Sequence, residues 1–425
     1  MIYASTLKET ILSNKDFILN QVPRIFPREN IVLPRELNKV IVFHGVRRSG
    51  KTFLLFDLFR KHAGQSLYLD FEDDRLEGFK LENFDLIKKV FGELNPDLPA
   101  GEKYFFFDEV QRIPGWERYC RRAVEREGLK IALSGSSSQV LPEEIHTSLR
   151  GRSWGVEVLP FSFREFCQSR DRGTVLTRPL FGDRLVQAKL LFLDYLKWGG
   201  FPEVCLAGSQ IEKTKLLKDY YQAMFFRDLV ERRQISNIPL LESLFDRLFS
   251  AFGLKFSLNA YYKQYRGQIP FSKDLLYQYY RFMLDSLLIY EVRLWAESSY
   301  RRSRNPPKIY LVDPGLARRV TSEDLGRLLE NVVYIEFRRQ GREVYYFSEN
   351  HECDFIVKNE NNEFRAFQVC LELHPENQDR ETKGLVEACR FLGQKEGTLL
   401  TLGNEGEISQ EGVLIRIVSV LEWLG

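Results

Sequence analysis

Cysteine is sparse and scattered in this sequence. The six residues Cys120, Cys167, Cys205, Cys353, Cys370 and Cys389 form no C-x-x-C pair in a chain of 425 residues, which excludes a disulfide framework and fits a reducing compartment. Excess charge of either sign is lacking too: 61 basic against 59 acidic side chains leave a net +2, so any surface for a polyanion has to be local. No run reaches the roughly 18 uninterrupted apolar residues that a spanning helix needs, and the opening MIYASTLKETILSNKDF has no signal-like apolar core. The expectation is a cytoplasmic protein without membrane contact. Internal repeats and low-complexity linkers are absent as well, and a chain of this length is expected to hold two or three domains.

What is present is an alternation of two periods. From Ile31 to about Phe166, short runs rich in Val, Ile, Leu and Phe (VIVFHG, SLYLDF, KYFFFDEV, LKIALSG) alternate with segments of helical period, the pattern of a parallel sheet covered on both faces. From about Leu185 to Phe252 apolar residues recur at helical spacings, with a break at GGFPEV. Then a short helix, a Gly/Pro turn and a longer helix capped by Ser272 are expected. A strand pair around RRSRNPP would make this a winged helix-turn-helix. After Lys308 the periods mix again into a third, α/β region with strands EVYYFS, CDFIVKN and FRAFQVCLEL.

The stretch HGVRRSGKTF lies between an apolar strand and an amphipathic helix, and Gly45, Gly50, Lys51 and Thr52 satisfy G-x-x-x-x-G-K-[ST]. In such a loop, Gly45, Val46, Arg47, Arg48, Ser49 and Gly50 turn backbone N–H groups toward a phosphate, and the helix N-terminus adds partial positive charge. Lys51 reaches the β and γ oxygens, and the Thr52 hydroxyl ligates magnesium. Hydrolysis also needs a carboxylate for the metal and one for the attacking water, and KYFFFDEV ends in both, Asp108 and Glu109. LKIALSG leads to Ser134, Gly135 and Ser136, candidates for sensing the γ-phosphate. SLRGRSWG offers Arg150 and Arg152, either of which can act as a finger toward a nucleotide on a neighbouring subunit. ATP and magnesium are the expected cofactors, and a homo-oligomer the expected assembly.

In the same order along the chain, GVRRSGKT, LYLDFED, FFFDEVQRIPGWE, LSGSSS, LRGR and LPFSFREF resemble the AAA-type P-loop ATPase family of archaea and bacteria whose members carry a C-terminal domain of the PD-(D/E)xK nuclease fold. The resemblance extends to YLKWGGFPEV, FFRDLVERRQI, KIYLVDPGLARRV and ECDFIVKN, nearly the whole chain. It implies Gly45, Gly50, Lys51 and Thr52 as the nucleotide loop, Asp108 and Glu109 as magnesium and water residues, and Arg152 as the finger. The expected organisation is a parallel-sheet ATPase domain over 1–170, a helical lid over 171–235, a winged helix-turn-helix over 236–307 and a PD-(D/E)xK-like α/β domain over 308–425.

Nucleases of that fold hold one or two metals with carboxylates and a lysine. The resembling positions here are Glu330, Asp354 and Gln368, but Cys370 stands where the lysine belongs, so the resemblance implies a degenerate site that keeps the fold for binding or assembly. In the middle region Arg301, Arg302, Arg304 and Lys308 cluster near Trp295 and Tyr300, a candidate DNA contact whose binding would weaken steeply with salt. The sequence thus points to an ATPase that remodels or moves along a partner, DNA or protein. A slow ATP-gated switch and an ATP-controlled nuclease are its rivals.

Overall fold

The computed structural model describes residues 2–34, 38–135, 148–319, 324–359 and 361–425. It divides into two compact units, Met1–Leu159 and Pro160–Gly425.

In the first unit, helix α1 (Ala4–Asp16) precedes strands β1 (Val40–His44), β2 (Ser66–Asp70), β3 (Tyr104–Asp108), β4 (Lys130–Ser134) and β5 (Ser153–Glu157). Helices α2 (Lys51–Lys61), α3 (Phe84–Leu94) and α4 (Trp116–Glu127) intervene. The sheet is parallel throughout, in the order β2-β3-β4-β1-β5. The continuous apolar runs follow from burial of both faces. With side chains alternating along each strand, Leu67, Leu69, Phe105 and Phe107 pack with Ile87 and Phe91 of α3 and with Tyr119 and Ala123 of α4. Their strand neighbours Tyr68 and Phe106 pack instead with Leu55, Phe56 and Phe59 of α2. The order sets β4 between β1 and β3. The loop after β1 and the carboxylates ending β3 therefore share one sheet edge, where ligands of open α/β sheets bind.

The second unit begins with helices, including Gly182–Trp198, Gln210–Ala223 and Ile238–Ser250, and continues with Leu258–Tyr265 and Lys273–Asp285. Strands follow: β6 (Ile289–Leu294), β7 (Lys308–Leu311), β8 (Glu343–Ser348), β9 (Glu352–Lys358), β10 (Phe364–Cys370), β11 (Glu396–Thr401), β12 (Gly406–Gln410) and β13 (Val413–Ser419). They form one eight-stranded mixed sheet in the order β12-β13-β11-β10-β9-β8-β6-β7. Helix Pro375–Phe391 covers one face through Leu385, Val386 and Cys389. Phe337 of helix Leu325–Arg339 meets Phe355 and Phe367.

The strands flanking RRSRNPP do pair, as β6 with β7, antiparallel. Two features differ from a free wing. A short helix, Ser299–Arg304, occupies the connection, and β6 also pairs in parallel with β8 through Arg293 and Leu294, so the strand pair is the end of the larger sheet.

Two separated motifs, WGGF and DPG, meet in the interior. Asp313 accepts hydrogen bonds from the backbone N–H of Gly200 at 2.6 Å and of Gly315 at 2.9 Å. A Cβ on Gly200 would stand 2.1 Å from the Phe161 carbonyl oxygen, an approach that only glycine permits. Burial pushes the Asp313 carboxyl up to about 7, against the pull of those two N–H groups.

Candidate functional site

At the end of β1 the chain turns through Gly45, where an added Cβ would sit 2.4 Å from the Val158 carbonyl oxygen, and enters α2 through Gly50 in the left-handed region, φ 100°. Lys51 is buried, and its Nζ donates to the carbonyl oxygens of Gly45 and Val46, both at 3.0 Å. The ammonium is thus folded over its own loop. Arg28 braces the loop by donating to the Ser49 carbonyl at 3.0 Å, a contact with no sequence signal because 21 residues separate the two. Among the described residues the Ser49 hydroxyl is buried without a hydrogen-bond partner, and buried polar atoms left in that condition ask for an explanation. Thr52 lies in the first turn of α2, half-buried.

Asp108 ends β3, 3% exposed, with its Oδ2 accepting from the Tyr68 hydroxyl at 2.9 Å and its Oδ1 from the Ser134 hydroxyl. Glu109 follows in the left-handed region, φ 48°, and accepts a hydrogen bond from the Gln111 side-chain amide. Burial and then Asp108 push the Glu109 carboxyl up, while Lys51 and Gln111 pull it down. Asp70, in register with Asp108 across β2 and β3, is raised to about 6, chiefly by burial. Three carboxylates therefore end two adjacent strands. Asp70, Tyr68 and Gln111 were not singled out from the sequence. The first two lie in LYLDFED, whose strand ends in an acid as KYFFFDEV does.

These residues fit a magnesium nucleotide. The loop is too tight for a side chain at Gly45, it holds an unsatisfied buried hydroxyl, and the oxygens of Thr52 and Asp108 suit a hard cation that retains its waters. Ser136 lies outside the described residues. Arg150 and Arg152 stand apart from the loop. With Arg118, Arg121, Arg122 and Arg126 of α4 they line a pocket of about 590 Å³, and among the described residues that line it the acid is Glu125. Arg152 Nε is 2.7 Å from Glu125 Oε1, and its hydrogen bond holds the Glu125 carboxyl below its ordinary value.

In the second unit the structure brings Glu330 and Asp354 together around an unexpected group. Lys308, 2% exposed, places Nζ 3.1 Å from Glu330 Oε1, 2.8 Å from Glu352 Oε1 and 2.9 Å from Asp354 Oδ1. This corrects the expectation that Lys308 belongs to a DNA-contacting wing: it points into the domain, fixed by carboxylates far along the chain. Burial, then Asp354, pushes the Glu330 carboxyl up to about 7. Gln368 accepts from the Asp354 backbone N–H at 3.2 Å and donates to Glu381 at 3.1 Å, and the Cys370 thiol donates to the Glu372 carbonyl. Burial first, then Glu381, raises that thiol to about 11. Of the remaining basic residues, Arg301 ion-pairs with Glu349, Arg302 donates to the Ala296 and Glu297 carbonyls, and Arg304 lies over the Tyr300 ring. Among the described residues no helix is long and apolar enough to cross a membrane.

Residues 37–167 match the AAA domain family, and residues 189–325 match a domain of unknown function. The uncharacterized protein MJ1544 of Methanocaldococcus jannaschii is 33% identical over 405 residues, covering 91% of this chain and 88% of its own length. An uncharacterized protein of Haemophilus influenzae is 25% identical over 412 residues, covering 93% and 96%. A Walker-type ATPase of Pyrococcus abyssi aligns with a TM-score of 0.45 at 16% identity, over 71% of this chain and 99% of that one.

Proposed function

The chain belongs to one family with protein MJ1544 and carries an AAA domain, and on that premise we propose that it binds ATP with magnesium, hydrolyses it and couples turnover to remodelling of, or movement on, a partner. The observation that carries this reading is the buried Lys51 ammonium, held on the Gly45 and Val46 carbonyls of a loop that admits no side chain at Gly45. In this reading Lys51 leaves those carbonyls for the β and γ oxygens, the Ser49 hydroxyl gains an acceptor, and Thr52 and Asp108 hold magnesium. Glu109 orients the attacking water as general base. Ser136 is proposed as the sensor of the γ-phosphate, and Arg152, exchanging Glu125 for a neighbour's triphosphate, as the finger of a homo-oligomer.

The test is steady-state ATP hydrolysis across protein concentration, with and without duplex DNA. Lys51→Ala is expected to lose nucleotide binding. Glu109→Gln is expected to bind ATP while turnover falls roughly 100-fold or more, and normal turnover by that variant sinks the assignment. A rate per chain that rises with protein concentration supports the shared site, and one independent of concentration removes Arg152 from it. Stimulation by DNA supports a DNA partner, with Arg301, Arg302 and Arg304 of the proposed winged segment 236–307 as the residues to mutate. DNA without effect directs the search to a protein.

One contact favours a second reading. The Gln111 amide occupies the Glu109 carboxylate, an arrangement that suits a slow ATP-gated switch whose base is released only when a partner is engaged. ATP-dependent partner binding without stimulated turnover distinguishes the switch from the motor.

A further inference from the structure

The carboxylates that resemble the metal ligands of a nuclease are drawn together, yet what lies between them is part of the same chain. Lys308 opens β7, every residue of which is buried. An ammonium has three N–H donors and no acceptor, and three carboxylate oxygens, one each from Glu330, Glu352 and Asp354, stand 2.8 to 3.1 Å from this one. The same Glu330 oxygen accepts from the Tyr310 hydroxyl at 2.6 Å. The second Asp354 oxygen accepts from the Val369 backbone N–H at 3.1 Å, and the second Glu352 oxygen is 2.6 Å from the Lys255 ammonium.

A magnesium or manganese ion wants such oxygens at about 2.0 to 2.1 Å in a near-octahedral shell that keeps several waters. Here the oxygens already surround a positive charge with almost no access to water. A divalent ion would have to displace that charge or endure it at contact distance. The residues therefore do not fit the metal that the fold resemblance implies.

We propose that Lys308 is a tethered substitute for that divalent ion: the domain keeps a metal-site arrangement with the chain's own ammonium at its centre, and the carboxylates become a divalent-cation site once the ammonium is removed. The consequence is structural rather than hydrolytic. Lys308 ties β7 to β9 and to helix Leu325–Arg339, and no metal-activated water is available for phosphodiester cleavage.

The test titrates manganese alone into the nucleotide-free, full-length protein, with free Mn²⁺ followed by electron paramagnetic resonance and unfolding followed by calorimetry. Wild type and Asp354→Asn are expected to give the same binding isotherm, a comparison that does not depend on any Lys308 variant folding. Lys308→Ala is expected to take up one additional ion per chain, at least about tenfold more tightly than wild type takes up any ion in this domain. Its unfolding temperature should rise with Mn²⁺, and both effects should vanish in Lys308→Ala/Asp354→Asn. Manganese uptake by wild type that Asp354→Asn removes overturns the proposal. So does manganese-dependent nicking of plasmid DNA by wild type that Asp354→Asn abolishes, because Lys308 would then stand beside a metal rather than in place of one. A folded Lys308→Ala that takes up no extra ion overturns it equally.

Discussion

Burial and the neighbouring Asp108 push the Glu109 carboxyl above its ordinary value, whereas Lys51 and Gln111 pull it down. In its proposed role as general base Glu109 must be ionised to act, so whatever raises its pKa moves the acidic limb of the rate profile to higher pH. Gln111→Leu removes one of the two opposing influences. The acidic limb of kcat against pH is expected to shift upward in this variant, with a larger loss of rate at pH 6 than at pH 8, and an unmoved limb would mean that the Gln111 contact does not persist during turnover. This pairing was only half legible in the sequence. Asp108 and Glu109 announce themselves because acids ending an apolar strand after a phosphate loop have a chemical reason to be there. Gln111 does not, because its role depends on the left-handed turn at Glu109, which brings a side chain two residues on back to the carboxylate. Lys308 was legible only as a positive charge among others. Its partners Glu330 and Asp354 lie 22 and 46 residues away, so local composition suggested solvent where tertiary packing supplied carboxylates.

At the level of elements, period reads well where one residue type dominates each face. Strands β1 to β4 of the first unit were visible because both their faces are apolar, and β8, β9 and β10 because their runs are bounded by turns; β5, SWGVE, was not, because only Val156 of its five residues is buried. The pairing of β6 with β8 was not visible, since register between distant strands is set by the fold and leaves no local mark. The same holds for the knot at Asp313, which joins WGGF to DPG across 113 residues. This knot has a pH signature. An acid raised from its usual range to about 7 in the folded chain is more protonated there than in the unfolded chain, so its contribution to stability is full below the unfolded value and is lost as pH rises toward 7. Asp313→Asn carries no such dependence. The unfolding temperature of the variant minus that of wild type is therefore expected to become more positive between pH 5 and pH 8, as read by scanning calorimetry. A difference independent of pH would mean that Asp313 is ionised in the fold across that range.

The whole chain holds two units, each with a hydrophobic core of its own, and a core of that kind is the physical basis of a cooperative transition. The nucleotide loop and its carboxylates lie within Met1–Leu159, whereas the Lys308 cluster and the Asp313 knot lie within Pro160–Gly425. A ligand stabilises whatever unfolds with its site, by about 2.7 kcal/mol at a hundred times its Kd. For a unit of this size that corresponds to a rise of roughly 5 to 10 °C. Calorimetry of Glu109→Gln, which in the proposed mechanism retains nucleotide without consuming it, is therefore expected to resolve two transitions, of which ATP with magnesium raises one and leaves the other in place. Asp313→Asn should move the other and leave the nucleotide-dependent shift intact. If ATP raises both transitions together, the units unfold as one and nucleotide occupancy is felt throughout the second unit. If it raises neither, the loop at Gly45–Thr52 does not hold nucleotide, and the ATPase assignment fails at its first step.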